Sequence, residues 1–79
     1  MKTFAVSYIT YQDNVLKMYK VQGTSEVNAA VNWYVDFSKE LGYPVDAEYE
    51  AKLRSFATIE HLQAYTFDQD FLLAAIACE

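Results

Sequence analysis

The fold is decided by residues 3–11, TFAVSYITY, in which β-branched and aromatic side chains predominate. Such residues favour extended strands, and the polar residues 12–14 that follow interrupt the run. A second strand-like run, residues 15–22, comes directly after the interruption. Because Asp13 and Asn14 both tolerate a positive φ angle, they suit the turn of a β-hairpin. The pattern therefore predicts an N-terminal hairpin with Asp13-Asn14 as its loop.

A two-residue loop at this place also sets the pairing of the two strands. It brings Tyr8 opposite Tyr19 and Val6 opposite Val21, and Phe4 continues the same side. We expect this side of the hairpin to face the core. The other side is apolar near the turn, so another segment must cover it or it must serve as a contact site. Its members are Ile9 beside Met18 and Tyr11 beside Leu16.

An amphipathic helix is predicted to follow the hairpin. Thr24 or Ser25 offers an N-cap oxygen, and Gly42 with the nearby Pro44 ends the helix. At about 100° per residue the apolar residues fall on one face, and Trp33 lies at its border. The inward residues are Val27, Ala30, Val31, Tyr34, Phe37 and Leu41, and the outward residues are Asn28, Asn32, Asp36 and Lys39.

A second helix is predicted from Asp46, which offers a capping carboxylate, to about residue 57. Its inward side carries Tyr49, Leu53 and Phe56, spaced as i, i+4 and i+7. Two acid–base pairs in the favourable i,i+4 order strengthen this prediction. They are Glu48 with Lys52 and Glu50 with Arg54.

The last third of the chain predicts a short helix and then an apolar segment. Thr58 begins the helix, Ile59 and Leu62 point inward, and the polar residues 68–70 break the pattern. The run at residues 71–78 suits either a buried strand or a short helix. We favour a strand, because a lone hairpin is marginally stable and a third strand completes the sheet. The predicted fold is a single α+β domain of 79 residues, ββααβ, whose small antiparallel sheet carries two or three helices on one face.

The charges are divided unevenly along the chain. The net charge is −5, made up of +2 in residues 1–25 and −7 in residues 26–79. Nucleic-acid phosphates bind to lysine and arginine, so we expect no direct nucleic-acid binding. An acidic surface attracts basic protein surfaces, although it also serves solubility alone. The expected partner is therefore another protein with a basic surface.

Cysteine content and hydrophobic patterning favour a cytoplasmic location. Cys78 is the only cysteine, whereas secreted domains of this size usually carry several disulfides. Polar residues interrupt the N-terminal apolar run, and no signal-peptide cleavage site follows it. The longest apolar run, residues 71–78, is too short to span a bilayer. We therefore expect no membrane contact.

The residues that carry chemistry do not form a recognisable constellation. His61 and Cys78 must meet, with a third group orienting the base, before they can act as a nucleophilic pair. A surface histidine and a structural cysteine are the simpler interpretation. Both glycines are isolated, so a phosphate-binding loop is not expected. The carboxylate runs at 46–50 and 68–70 lack the central glycine and the terminal glutamate of a calcium loop. We expect no enzyme activity, no metal and no cofactor.

The residues best suited to contact a partner are aromatic and acidic. Tyrosine and tryptophan are enriched at binding hot spots, and Trp33, Tyr43 and Tyr11 are the candidates, although each also suits the edge of the core. The acidic candidates are Asp36, Glu40, Asp46, Glu48 and Glu50. Two alternatives remain open. The apolar hairpin side allows a homodimer, and carboxylates spaced like phosphates would make the chain a DNA-mimic decoy.

In general form the chain resembles the small accessory proteins of bacteriophages, including anti-CRISPR proteins and other inhibitors of host defence. The features that carry the resemblance are the short length, the hairpin followed by an amphipathic helix, and the net acidity. The resemblance implies an inhibitor that occupies the working surface of a host enzyme or nucleoprotein in the bacterial cytoplasm. It concerns composition and element order, and therefore assigns no functional residue.

Overall fold

The computed structural model describes residues 1–10, 12 and 16–78. Both strand pairs of its sheet are antiparallel, and the strand order is β2-β1-β3. The α+β prediction is confirmed, and the apolar run near the C-terminus is a strand. The elements in chain order are β1 (Lys2–Thr10), β2 (Lys17–Gly23), α1 (Glu26–Glu40), α2 (Ala47–Arg54), α3 (Ile59–Phe67) and β3 (Phe71–Ala77).

The pairing of β1 with β2 differs from the predicted register by two residues. Val6 lies opposite Tyr19, and Tyr8 lies opposite Lys17, whereas the prediction paired Tyr8 with Tyr19. A shift of two residues keeps every side chain on its own side of the sheet, because the side-chain period of a strand is two. The predicted core side of the hairpin is therefore right, although its register is wrong. The predicted turn, residues 13–14, lies outside the described residues.

Helix α1 begins and ends where the sequence indicates. The side-chain oxygen of Ser25 caps its N-terminus. At the C-terminal end Gly42 has a φ angle of 86°. The backbone N–H groups of Gly42 and Tyr43 donate to the carbonyls of Lys39 and Ser38 at 3.1 and 3.0 Å. This is a Schellman motif, whose left-handed position glycine occupies without a Cβ penalty.

Two residues of α1 depart from the predicted faces. Leu41, expected inward, is exposed because it lies at the C-cap, beyond the last turn of the helix. Trp33, expected at the border, is only 9% exposed. Its indole stacks with Tyr19 of β2 and with Phe37, one turn further along α1. A ring of this size extends from the border of a helix to the neighbouring strand, so its position on the helix understates its burial.

The two short helices pack on different elements, α2 against α1 and α3 against β3. Helix α2 ends at Arg54, earlier than predicted, because Ser55 donates its N–H and its hydroxyl to the carbonyl of Lys52. Leu53 is fully buried, and Thr58 caps α3 through its side-chain oxygen. The remaining predicted inward residues of α2 are half-buried against a tyrosine of α3. They are Tyr49 and Phe56, whose ring centroids lie 6.2 and 5.2 Å from that of Tyr65.

The core lies between the helices and one face of the sheet. At the end of β2 the backbone comes so close to α1 that a Cβ on Gly23 would lie 2.8 Å from the amide nitrogen of Ala29. Only glycine permits this approach of strand and helix. The buried apolar residues are Phe4, Val6, Val27, Ala29, Ala30, Val31, Trp33, Leu53, Ile59, Leu62, Phe71, Leu73 and Ala75.

Candidate interaction surfaces

The first candidate surface follows the connection between α1 and α2. Asp36 and Glu40 lie on the exposed side of the last turns of α1, and Asp46 and Glu48 lie at the start of α2. Tyr43 stands between the two pairs and is 78% exposed. The Schellman motif holds the backbone of Tyr43 in place, so the ring is presented to solvent from a defined position. We name these five residues the acidic surface.

Glu50, also a predicted contact residue, already has an intramolecular partner. Its Oε2 accepts a hydrogen bond from Nε of Arg54 at 2.9 Å. An exposed i,i+4 pair of this kind contributes about 0.3–0.5 kcal/mol and offsets the charge of Glu50. In the other predicted pair, Lys52 directs its ammonium to the rings of Phe56 and Tyr65, 5.4 and 5.6 Å from their centroids. Glu50 is therefore a weaker candidate than the four other acids.

The second candidate surface is a groove of about 330 Å³ between α1 and β2. We name it the aromatic groove; it is lined by Tyr19, Trp33, Asp36, Phe37 and Glu40. The four helical residues are spaced as i, i+3, i+4 and i+7, so they form one stripe of α1. Tyr19 is the contribution of the strand, with its ring centroid 5.1 Å from that of Trp33.

The burial of Trp33 changes the role that we predicted for it. Tyr19 and Phe37 both stack on the indole, which is only 9% exposed, so Trp33 offers little surface to a partner. The exposed aromatic surface belongs instead to Tyr19, which is 42% exposed. We predicted Tyr19 in the core. The missing signal was the strand order, because a core-facing residue is left partly uncovered when its strand lies at the edge of a sheet.

A depression of about 400 Å³ adjoins the aromatic groove on the other side of Phe37. Lys17 of β2 contributes to its lining, and its Nζ lies 5.5 Å from the centroid of the Phe37 ring. This distance is within the range of a cation–π contact. One cation of the chain itself thus already contacts the aromatic cluster, at Phe37.

The third candidate surface is the face of the sheet opposite the helices. The register sets Met18, Ser7 and Ala74 in one row and Lys20, Ala5 and Ile76 in the next, while Ile9 lies beside Leu72. We name these eight residues the open face. Met18 is 58% exposed and Ile76 is 63% exposed.

The open face corrects the apolar cluster predicted for the hairpin. Met18 lies opposite Ser7 rather than Ile9, Leu16 is exposed, and Tyr11 lies outside the described residues. Strand β3 extends the apolar surface with Leu72 and Ile76, which the sequence did not reveal because it did not specify the neighbour of β1. Lys20 is the one charged side chain among the eight residues.

The two side chains considered for nucleophilic chemistry, His61 and Cys78, are both exposed. His61 is exposed in α3, and Cys78 is exposed just after β3, where its N–H donates to the carbonyl of Thr3 at 3.0 Å. Within residues 1–10, 12 and 16–78 no group of three or more histidine, cysteine or acidic side chains is arranged to hold a metal ion. In the same part of the chain, none of the helices has the length and apolar character needed to cross a membrane.

Two tyrosines between the helices titrate abnormally. Burial raises the pKa of Tyr49 to about 12, and the neighbouring Tyr34 and Tyr65 add to the increase. Burial also raises the pKa of Tyr34, which a hydrogen bond with Ser38 partly offsets. The neutral phenol is therefore favoured in the folded chain. Both side chains pack against the core, and Tyr34 also stacks on Phe71 of β3, so their shifts report burial in the interior.

The geometry thus offers three surfaces, namely the acidic surface, the aromatic groove and the open face. Each is accessible, and each differs from the others in chemistry. A comparison of the chain with family models, with curated proteins and with solved structures finds no match.

Proposed function

We propose that this chain is a non-enzymatic protein-binding module that contacts its partner through the acidic surface. The observation that supports the proposal is the exposure of Tyr43 between two pairs of exposed carboxylates. Carboxylates attract a basic partner and accelerate the encounter. An exposed tyrosine covers a large contact area at a small cost in conformational entropy, which is why tyrosine is common at hot spots.

In its finer form, the proposal is that the chain is a phage-type inhibitor. Its partner is a host defence protein or another nucleic-acid-handling protein, whose phosphate-binding surface carries lysine and arginine. The acidic surface complements such a region in charge, and residues 26–79 carry a net charge of −7. Inhibition then follows from occupancy, since a basic surface covered by this chain no longer contacts nucleic acid. The expected location is the bacterial cytoplasm.

The experiment is a pull-down from a bacterial lysate, with mass spectrometry of the retained proteins. The informative variants are Tyr43→Ala and Glu48→Lys. Glu60→Lys is the matched control, because Glu60 occupies the first turn of α3 as Glu48 occupies that of α2. We expect wild type and Glu60→Lys to retain the same partner and the other two variants to lose it. Equal recovery by all four chains contradicts the proposal.

The open face supports a second candidate function, a self-associating accessory protein. An antiparallel sheet that faces water normally alternates between apolar and polar residues, whereas here Met18 and Ile76 are apolar and largely exposed. A second copy packed on this face would bury them. Sedimentation tests this candidate, with a dimer expected for the wild type and a monomer for Ile76→Glu. A wild-type chain that stays monomeric at high micromolar concentration rules the candidate out.

A further inference from the structure

The rings of the aromatic groove form a short stack that ends in solvent. The interplanar angle is 26° between Tyr19 and Trp33 and 13° between Trp33 and Phe37, with centroid distances of 5.1 and 4.8 Å. Because β2 is an edge strand, the Tyr19 end of the stack is exposed. The negative face of an aromatic ring attracts cations. The exposed end of the stack is therefore a flat surface suited to a positive group.

Two carboxylates stand beside this stack. Asp36 and Glu40 are exposed and line the aromatic groove. Neither belongs to the ion pair that the described residues form, which joins Glu50 to Arg54. The groove thus combines an aromatic surface with two carboxylates, and both features favour a cation.

A positive charge of the chain itself already lies beside the stack. The ammonium of Lys17 is 5.5 Å from the centroid of Phe37. Tyr19 shares the groove with two carboxylates that are exposed to solvent. At about 330 Å³, the groove is near the lower limit of small-molecule pockets. This size suits a single side chain of a protein partner.

Arginine is the side chain whose chemistry fits best. Its guanidinium is planar and stacks on aromatic faces, and its N–H groups form paired hydrogen bonds with carboxylates. The ammonium of lysine supplies the positive charge, but it lacks the planar shape and the paired N–H groups of a guanidinium. We infer that the aromatic groove binds an arginine side chain of the partner, with the guanidinium stacked on Tyr19 and bonded to Asp36 and Glu40. This inference rests on the proposed function, since it presumes a partner protein with a basic surface.

Trp33 provides a direct readout because it is the only tryptophan of the chain and lines the groove. The probes are two blocked hexapeptides of alternating glycine with arginine or with lysine, titrated while Trp33 fluorescence is recorded. We expect a saturable change with the arginine peptide and several-fold weaker binding of the lysine peptide. Equal responses to both peptides, or no response to the arginine peptide, overturn the inference.

Two double variants locate the binding. Asp36→Asn with Glu40→Gln removes the carboxylates of the groove and should weaken arginine-peptide binding about tenfold, the loss expected for charge-assisted hydrogen bonds. Glu60→Gln with Asp68→Asn removes the same charge at the two ends of α3, outside the acidic surface and the aromatic groove, and should change the affinity less than about twofold, the effect of a distant screened charge. Similar losses in both variants overturn the inference, because they mean attraction by general charge.

The peptide experiment and the pull-down fail independently. If the lysate partner is retained and then lost in Tyr43→Ala, while the arginine peptide leaves Trp33 unchanged, the proposed function stands and the arginine site is wrong. If the peptide binds as expected but all pull-down variants recover the same proteins, the arginine site stands and the proposed partner contact of Tyr43 and Glu48 is wrong.

Discussion

The two faces of the three-stranded sheet are both apolar, yet only one of them is covered. Leu73 and Leu72 are neighbours on β3, and their side chains point to opposite faces. Leu73 is 0% exposed beneath the helices, whereas Leu72 is 37% exposed on the open face. Side-chain chemistry therefore does not distinguish the faces. The position of the helices does, and it leaves an apolar surface of the kind that marks contact sites.

Truncation of each leucine in turn gives the largest expected difference between the faces. Leu73→Ala should lower the free energy of unfolding by about 2–5 kcal/mol, because it opens a cavity in the core. Leu72→Ala removes the same atoms from a partly exposed site and should cost less than about 1 kcal/mol. Chemical denaturation of both variants measures the contrast, and equal losses would mean that the open face is covered.

The two glycines lie on the covered side of the sheet, Gly23 where β2 approaches α1 and Gly42 at the end of α1. Gly23→Ala should cost about 1–3 kcal/mol, since its Cβ would overlap the backbone of Ala29 and force strand and helix apart. At Gly42 a Cβ has free space, so alanine there should cost only the left-handed backbone penalty of about 1–2 kcal/mol. Thermal unfolding of both variants shows which substitution lowers the stability more. A stable Gly23→Ala protein would contradict the close approach.

The stability of the protein at alkaline pH tests the burial of Tyr49 on the covered side. Its pKa rises from 10.0 to about 12 in the folded chain, so folding favours the neutral phenol. Its contribution to stability is therefore complete below pH 10.0 and is lost as the pH rises towards about 12. The free energy of unfolding should fall over this window, and Tyr49→Phe should reduce the fall.

The exposed Tyr43 supplies the control for the pH experiment. Tyr43→Phe removes the same hydroxyl from a ring that lies in solvent, so it controls for the chemical change alone. Urea denaturation at several pH values compares the three chains. An identical fall in wild type and Tyr49→Phe would show that burial of Tyr49 does not govern alkaline stability.

The smallest expected effect concerns the exposed Glu50–Arg54 pair. Glu50→Gln should cost about 0.3–0.5 kcal/mol at low salt, and the difference should shrink as salt screens the pair. Denaturation at two ionic strengths measures it. A loss as large as that expected for Leu73→Ala would place this pair among the buried interactions.

Much of the local structure was predictable because its causes are local. The caps at Ser25 and Thr58 and the helix end at Gly42 depend on residues within one turn of each position. The sides of β1 were also predictable, since alternation is a property of the strand alone. The hairpin register was not, because the alternation of side chains fits partners that differ by two residues equally well.

The candidate site was predictable in part. The exposure of Asp36 followed from helix periodicity, whereas Tyr43, which is exposed, also suited the edge of the core. The partnership of Tyr19 with Trp33 did not, because the two residues lie on different elements. Their contact requires β2 to stand at the edge of the sheet, and nothing within either segment specifies that position.

The sequence by itself determined most element types, the caps at Ser25 and Thr58 and the division of charge, because these depend on near neighbours and on composition. Asp46, predicted to cap α2, makes no side-chain cap hydrogen bond. Only the tertiary structure decided which face of the sheet is covered, that β3 pairs with β1, and that Tyr19 extends the aromatic stack into solvent. These features arise from packing between segments far apart in the chain. An apolar residue such as Ile76 would satisfy the same strand pattern on either face.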